Sequence, residues 1–403
     1  MLDEDKVVTP DGPTSALYGP AAVPRHGWFP SSDGVSPKLV GGLDCPYDAE
    51  PMARFRQRLT RIVALLGVAF LLGSCAVMEI EDTPLSAVDP RDPFAQRIDN
   101  LFWPVFWIAT VIFVLVMGAI LVAVLLFRDR DGSKEAKQLH GSPKLEVLWT
   151  IIPALILAGV AVPTTAAIFE LTECGADAIE VEVIGHQWWF EYHYPDADVY
   201  TANVMVIPTD QEVCAKLTSD DVIHNFWVPQ LNGKRYLIPG QTTELRLQAD
   251  EPGEYWGHCA EFCGLSHSLM RARVQALEPA EYQAWLEGQQ APVTLPAEGT
   301  PEYDGYQVFL NKGCIQCHTV RFDQEEQSNI VPPEAFNGPE LTHFASRNVF
   351  VGATLPEEGE SRAEALKRWL ADPPTIKPGS YMPNLALTEQ EIDDLIAWLE
   401  SNG

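Results

Sequence analysis

Twelve residues, Cys259-Ala-Glu261-Phe-Cys263-Gly-Leu-Ser-His267-Ser-Leu-Met270, gather two thiols, an imidazole and a thioether. A further imidazole precedes them at His224, in Ile223-His-Asn-Phe-Trp-Val-Pro229. Soft sulfur beside imidazole selects copper over hard cations. A single blue-copper centre takes one Cys, two His and a weak axial Met, so this loop holds one thiolate too many. The surplus makes sense if two coppers share both sulfurs as bridges, each adding one His and one weak ligand. Two plainer readings stand beside it. Cys259 and Cys263 can form a disulfide with His224 a structural histidine, or the set can bind a tetrahedral zinc, for which Met270 is an odd neighbour.

The second constellation is Cys314-Ile-Gln-Cys317-His318, the spacing of covalent c-type haem attachment. Two thiols would hold the vinyl carbons and His318 would supply the proximal iron ligand. A thioredoxin-like dithiol shares the Cys-x-x-Cys spacing, but no βαβ pattern surrounds it. Downstream only Met382, in Gly379-Ser-Tyr-Met-Pro-Asn384, and His343 can give a sixth ligand. Methionine raises the potential, as a high-potential relay needs, so Met382 is the expected ligand.

These groups need scaffolds, and the chain offers two kinds. From Ile179 to about Ala276 it reads as short strands: Ile179-Glu-Val-Glu-Val-Ile184 alternates strictly, and turn pairs stand at Asn232-Gly233, Pro239-Gly240 and Pro252-Gly253. That rhythm predicts a small sandwich or barrel over residues 171–287. A polar linker, 288–300, follows. From Pro301 to the end, 301–403, the pattern is helical. Thr388 caps a helix whose Glu391 sits three residues on, with Ile392, Leu395, Ile396 and Leu399 as its apolar face.

Upstream lie three apolar stretches. Ile62 to Gly73 is short and follows Arg54, Arg56, Arg58 and Arg61, which describes a signal peptide over 52–74. It ends Leu72-Gly73-Ser74-Cys75, like a lipoprotein box with Cys75 as the acylated new N-terminus; a buried Cys closing an ordinary anchor is the alternative. Residues 1–51 are then a disordered extension or an untranslated stretch, and Cys45 falls with them. Residues 75–170 form a membrane hairpin, with spans at about 103–127 and 147–169. The loop between them carries Arg128, Arg130, Lys134, Lys137 and Lys144, so it faces the cytoplasm and everything after Phe169 lies outside.

Length and charge set the outer limits. The 403 residues allow two or three domains, and 46% hydrophobic with 21% charged residues excludes wholesale disorder. Acids outnumber bases 56 to 27, a net charge of −29, which argues against a nucleic-acid partner. Beyond Phe169 the ratio is 38 to 13, suited to a basic redox partner or to a generally acidic surface. Eight cysteines are too few for a disulfide scaffold.

With both constellations on one exported, two-span chain, the sequence from about Asp99 to Trp398 resembles subunit II of the haem–copper cytochrome c oxidases, of the type with a fused C-terminal cytochrome c domain. The resemblance implies a multidomain membrane protein: a two-helix transmembrane hairpin, a cupredoxin-like β-barrel or sandwich, and an all-α class I cytochrome c domain. It implies that His224, Cys259, Cys263, His267 and Met270 hold a binuclear copper A (CuA) centre, with Glu261 giving its backbone carbonyl. The side chain of Glu261 would reach a Mg²⁺ shared with subunit I. Gly185-His-Gln-Trp-Trp-Phe190 matches the family's aromatic segment, with Trp188 receiving electrons over CuA. The family's usual order is Trp-Tyr-Trp, so Trp189 and Phe190 stay open between that role and core packing. Glu146 resembles the carboxylate at a proton-pathway entrance, against the plain reading of a solvated helix-end acid.

The implied function is that of a proton-pumping cytochrome c oxidase in a bacterial cytoplasmic membrane. Electrons from a cytochrome c or cytochrome bc-type donor pass through covalent haem c and CuA to subunit I, which reduces O₂ to water; subunit III and membrane lipid complete the partners. A quinol oxidase subunit II would lack the copper ligands. A CuA-bearing nitric oxide reductase subunit and a membrane-tethered carrier without an oxidase partner are the alternatives. Cys174 and Cys214 belong to neither metal motif and, in an oxidising space, are available to pair.

Overall fold

The computed structural model describes residues 84–127, 141–323 and 338–403, together with Gly67. The signal peptide, Cys75, the extension before it and the basic residues from Arg128 to Lys137 lie outside the described residues.

Asp92, in extended conformation before Pro93, accepts hydrogen bonds from the amides of Phe94 and Ala95 and so starts α1, Pro93–Leu126. Helix α2 runs Pro143–Thr172 and continues through Pro153 and Pro163. Mean hydropathy reaches 3.0 in α1 and 2.2 in α2, and their Leu, Ile, Val and Phe side chains point outward. Water would disfavour such a surface and lipid tails accept it, while each helix bonds its own backbone. Arg97 near the start of α1 pairs with Glu170 near the end of α2 at 2.9 Å, so the helices run antiparallel and their outer ends meet.

Ten strands follow: β1 Ile179–His186, β2 Trp189–Tyr194, β3 Val199–Ala202, β4 Val204–Pro208, β5 Val213–Ser219, β6 His224–Trp227, β7 Arg235–Leu237, β8 Thr243–Leu247, β9 Gly253–Cys259 and β10 Arg271–Leu277. They form two five-stranded sheets, ordered β3-β2-β1-β5-β8 and β4-β10-β9-β6-β7. The alternation in β1 turns Val181 and Val183 inward. They pack with Phe190, Tyr192, Met205, Ile207, Leu217, Phe226 and Leu247 in a core shared by both sheets.

The outer end of α2 is fixed to this sandwich. Cys174 and Cys214 form a disulfide. Beside it Arg246 of β8 donates to Glu212 at 2.9 and 2.7 Å and to the Glu170 carbonyl at 2.5 Å, and its guanidinium lies over the Phe94 ring.

Helix α3, Pro279–Gln290, closes the sandwich, with Tyr282 packed against Val204 and Val206. The stretch after it, read from sequence as a polar linker, is pinned: the Val293 amide donates to Arg321 O at 2.9 Å and Asp323 donates back to Val293 O. Val293 is itself apolar and buried, which gives the segment a reason to settle. The C-terminal part then builds from α4 Pro301–Asn311, α5 Arg362–Ala371, α6 Pro373–Ile376 and α7 Glu389–Ser401. Capping boxes at Ser361/Glu364 and Thr388/Glu391 start α5 and α7. Gly305 of α4 lies so near the backbone of Asp394 that a Cβ would overlap it. That approach lets Tyr306 and Phe309 reach the fully buried Trp398, at 5.9 and 4.6 Å between rings.

The disulfide closes a 40-residue separation. Replacing Cys174 and Cys214 by serine is expected to lower the stability of the outer portion by about 2–4 kcal/mol, read as an earlier denaturant midpoint in the purified protein.

Candidate metal and haem sites

One end of the sandwich gathers the sulfur-rich loop. Strand β6 delivers His224, β9 ends on Cys259, a short turn over His267–Leu269 follows, and Met270 leads into β10. The two sulfurs stand 3.8 Å apart, well beyond a disulfide bond. His224 Nδ1 is 3.9 Å from Cys259 Sγ and His267 Nδ1 is 3.5 Å from Cys263 Sγ. Met270 Sδ lies 3.9 Å from Cys263 Sγ, and the Glu261 carbonyl oxygen 3.2 Å from Cys259 Sγ. His224, Cys259, Cys263 and Met270 are all buried.

Four further donors therefore surround the sulfur pair, six in all. A tetrahedral zinc takes four; two soft ions bridged by both sulfurs use the whole set, and the donor chemistry fits copper. The thiols already share charge. The contact between the two thiols holds Cys259 well below the usual thiol range, while the same contact, with burial, pushes Cys263 up.

The cluster is braced from behind. Asp221 Oδ1 lies 2.8 Å from His224 Nε2, which turns Nδ1 toward the sulfurs. Burial works against the charge on Asp221, but bonds from His224 and from the amides of Val222 and Gln187 hold its pKa below the usual carboxylate range. Gln187 and Trp188 both donate to the Cys263 carbonyl, at 2.6 and 3.0 Å. Sequence reading missed Asp221 and Gln187. The available signal was a carboxylate three residues before His224.

The other expected residues are placed as follows. Trp188 is 6% exposed, with its indole against the sulfur loop. Trp189 stacks on His186 at 4.3 Å, and Phe190 sits in the core edge-on to Phe226. The Glu261 carboxylate takes the hydroxyl of Tyr236, whose pKa that bond raises. Glu146 lies exposed in the first turn of α2, where a carboxylate suits the helix dipole.

Cys314, Cys317, His318 and Met382 line one cavity of about 310 Å³, together with apolar Phe309, Leu370, Leu395 and Leu399. His318 Nδ1 is 2.7 Å from the Pro339 carbonyl, which leaves Nε2 free. Burial pulls His318 below its ordinary pKa, so it stays neutral. A Cβ on Gly338 would come within 2.9 Å of the His318 ring. An apolar cavity with two thiols, a neutral imidazole and a thioether on its walls suits a covalent haem. His343 is directed elsewhere, its Nε2 2.8 Å from the Ala291 carbonyl. The cavity wall includes Gln187, Trp188 and Trp189, so the two sites meet at one aromatic segment.

Three family profiles match the chain. Residues 85–166 match the cytochrome c oxidase subunit II transmembrane domain, 198–277 its periplasmic domain, and 303–403 cytochrome c. Cytochrome c oxidase subunit 2 of Alkalihalophilus pseudofirmus is 35% identical over 351 residues, 85% of this chain and 96% of that protein. Its counterpart from Bacillus sp. PS3 is 34% identical over 294 residues, 68% of this chain and 79% of that one. Quinol oxidase subunit 2 of Bacillus subtilis is 30% identical over 235 residues, 56% of this chain and 70% of that one. Among solved structures, the periplasmic domain of cytochrome oxidase subunit II of Bradyrhizobium japonicum is 28% identical with a TM-score of 0.28, covering 29% of this chain and 96% of that one.

Asp221→Ala is expected to weaken copper binding by about 10- to 100-fold while leaving both thiols in place. A chelator competition titration on the purified protein checks it; unchanged affinity would show that Asp221 does not orient His224.

Proposed function

This chain belongs to the cytochrome c oxidase subunit II family, and from that premise we propose how its own residues divide the work. It is a membrane-anchored oxidoreductase subunit whose periplasmic and cytochrome c domains stand outside the membrane. The first of these domains implies CuA and the second haem c, and when bound each group accepts and gives up single electrons.

His224, Cys259, Cys263, His267, Met270 and the Glu261 carbonyl are the CuA ligands in this reading. Cys314 and Cys317 anchor the haem, with His318 and Met382 on its iron. Electrons arrive from a cytochrome c or cytochrome bc-type donor at the C-terminal domain, cross at Trp188 and leave through the sulfur loop toward subunit I, where O₂ is reduced to water. What supports this order is one observation: Trp188 forms part of the cavity wall that carries Met382, and its indole N–H donates to the carbonyl of Cys263. The rigid sandwich holds the sulfur loop with little freedom to reorganise. The pinned linker keeps the donor domain at high local concentration.

Finer assignments belong to the same proposal. Glu261 contributes its side chain to a Mg²⁺ whose remaining ligands come from subunit I. Glu146, on the cytoplasmic end of α2, stands at the mouth of a proton pathway. Subunits I and III pack against the outward-facing apolar sides of α1 and α2, with lipid over the rest, and Cys75 carries an acyl chain. The copper donor set, complete on this chain, favours the cytochrome c oxidase reading over the quinol oxidase one.

In the purified complex, metal analysis is expected to give two coppers per covalent haem, with the EPR signature of a delocalised copper pair. Cys259→Ser should abolish that signature, and both Met270→Leu and Cys317→Ala should reduce turnover with cytochrome c. Turnover lost in Met270→Leu but kept in Cys317→Ala would overturn the serial order.

A further inference from the structure

The contact between the two redox domains holds a residue that neither cofactor site uses. Lys377 follows α6 and is 4% exposed. Lysine is almost never buried without a partner, yet among the described residues no carboxylate forms an ion pair with Lys377. Its Nζ instead donates to two backbone carbonyls, Trp188 O at 2.5 Å and Val351 O at 3.2 Å. Trp188 belongs to the sandwich, Val351 and Lys377 to the cytochrome domain. An amine in this position spans the boundary, and either protonation state supplies the N–H donors.

The surroundings are as close as backbone allows. The Arg271 amide donates to Gly352 O at 2.9 Å, and Ser266 Oγ to Pro378 O at 2.6 Å; both bonds join one domain to the other. At Gly352, with φ +69°, a Cβ would come within 2.7 Å of Trp188 O and of Leu269 O. At Gly379 a Cβ would come within 2.7 Å of the Trp188 indole, and one at Gly264 within 3.2 Å of the same ring. The indole thus lies close against two glycines, one from each domain.

We infer that Lys377 is a positioning residue, a latch that keeps the cytochrome domain seated on Trp188, so that the domains act as one fixed pair and Trp188 is closed to any outside donor. A domain that swung on its linker between an external donor and the copper loop would leave Lys377 and three backbone carbonyls to be resolvated at every cycle. Their burial costs free energy unless the bonds are kept. The inference rests on the proposed role of Trp188, and it adds that outside donors deliver only to the cytochrome domain.

The test uses the intact complex with a protease site inserted after Gly299. Copper and haem are assayed before cleavage; if the wild type lacks either, the proposed function fails and the latch is not the cause. After cleavage the wild type is expected to retain its cytochrome domain on gel filtration, and Lys377→Met to bind that domain about tenfold or more weakly. An unchanged haem spectrum in Lys377→Met, methionine–iron band included, separates a lost latch from a misfolded domain. Equal retention by both proteins overturns the latch. If Lys377→Met fails to take up haem, the cleaved wild type and Ser266→Ala decide: a wild-type domain that leaves on cleavage overturns the fixed pair, and one that stays while Ser266→Ala weakens it upholds it.

Discussion

Two sulfurs 3.8 Å apart inside a protein are the demand around which the rest is arranged. As thiolates they repel and resist burial, so they persist only where cations and fixed dipoles compensate them. The sandwich supplies the dipoles and the imidazoles that would hold the cations. His224 and His267 stand within 4 Å of one sulfur each, Asp221 turns the first imidazole toward them, and the side chains of Gln187 and Trp188 hold the loop by its Cys263 carbonyl. A flexible loop could carry the same residues but could not keep six donors around one point. The ten strands are there to hold one loop still.

The cytochrome portion solves a different problem with lighter means. It encloses an apolar cavity with short helices, a crossing at Gly305 and one large indole, Trp398, at their junction. Exposed ion pairs such as Lys367–Asp393 and Arg368–Glu357 add little to its stability. Helix crossing and cavity set its shape. The two domains differ in architecture yet share the face at Trp188.

Much of this was legible in the sequence, for reasons that differ by residue. The strand alternation of Ile179 to Ile184 and the Thr388/Glu391 cap are local signals, and local signals survive into structure: β1 and the start of α7 lie where they point. Cys259 to Met270 and Cys314 to His318 are compact motifs, so their donor types can be read together, while His224 and Met382 had to be found at a distance. Asp221, Gln187 and Lys377 were not legible. Gln187 and Lys377 act on groups far away in the chain, 76 residues in the bond from Gln187 to Cys263 and 189 in the bond from Lys377 to Trp188, and nothing in their own neighbourhood announces the partner; for Asp221 the one local signal was its place three residues before His224. Phe190 turned out to be core because β2 carries it inward toward Phe226, a matter of register that residue type alone does not decide.

The joint at the outer end of α2 has a consequence for orientation. Cys174 is covalently tied to Cys214, Arg246 clasps both Glu212 and the last turn of the helix, and Arg97 draws the start of α1 to the same place. The hairpin therefore enters the sandwich as a rigid stem, and any tilt it adopts in the bilayer becomes a tilt of the sandwich. The height of the sulfur loop above the lipid surface, and the direction it faces, are written into this one chain before any other subunit arrives.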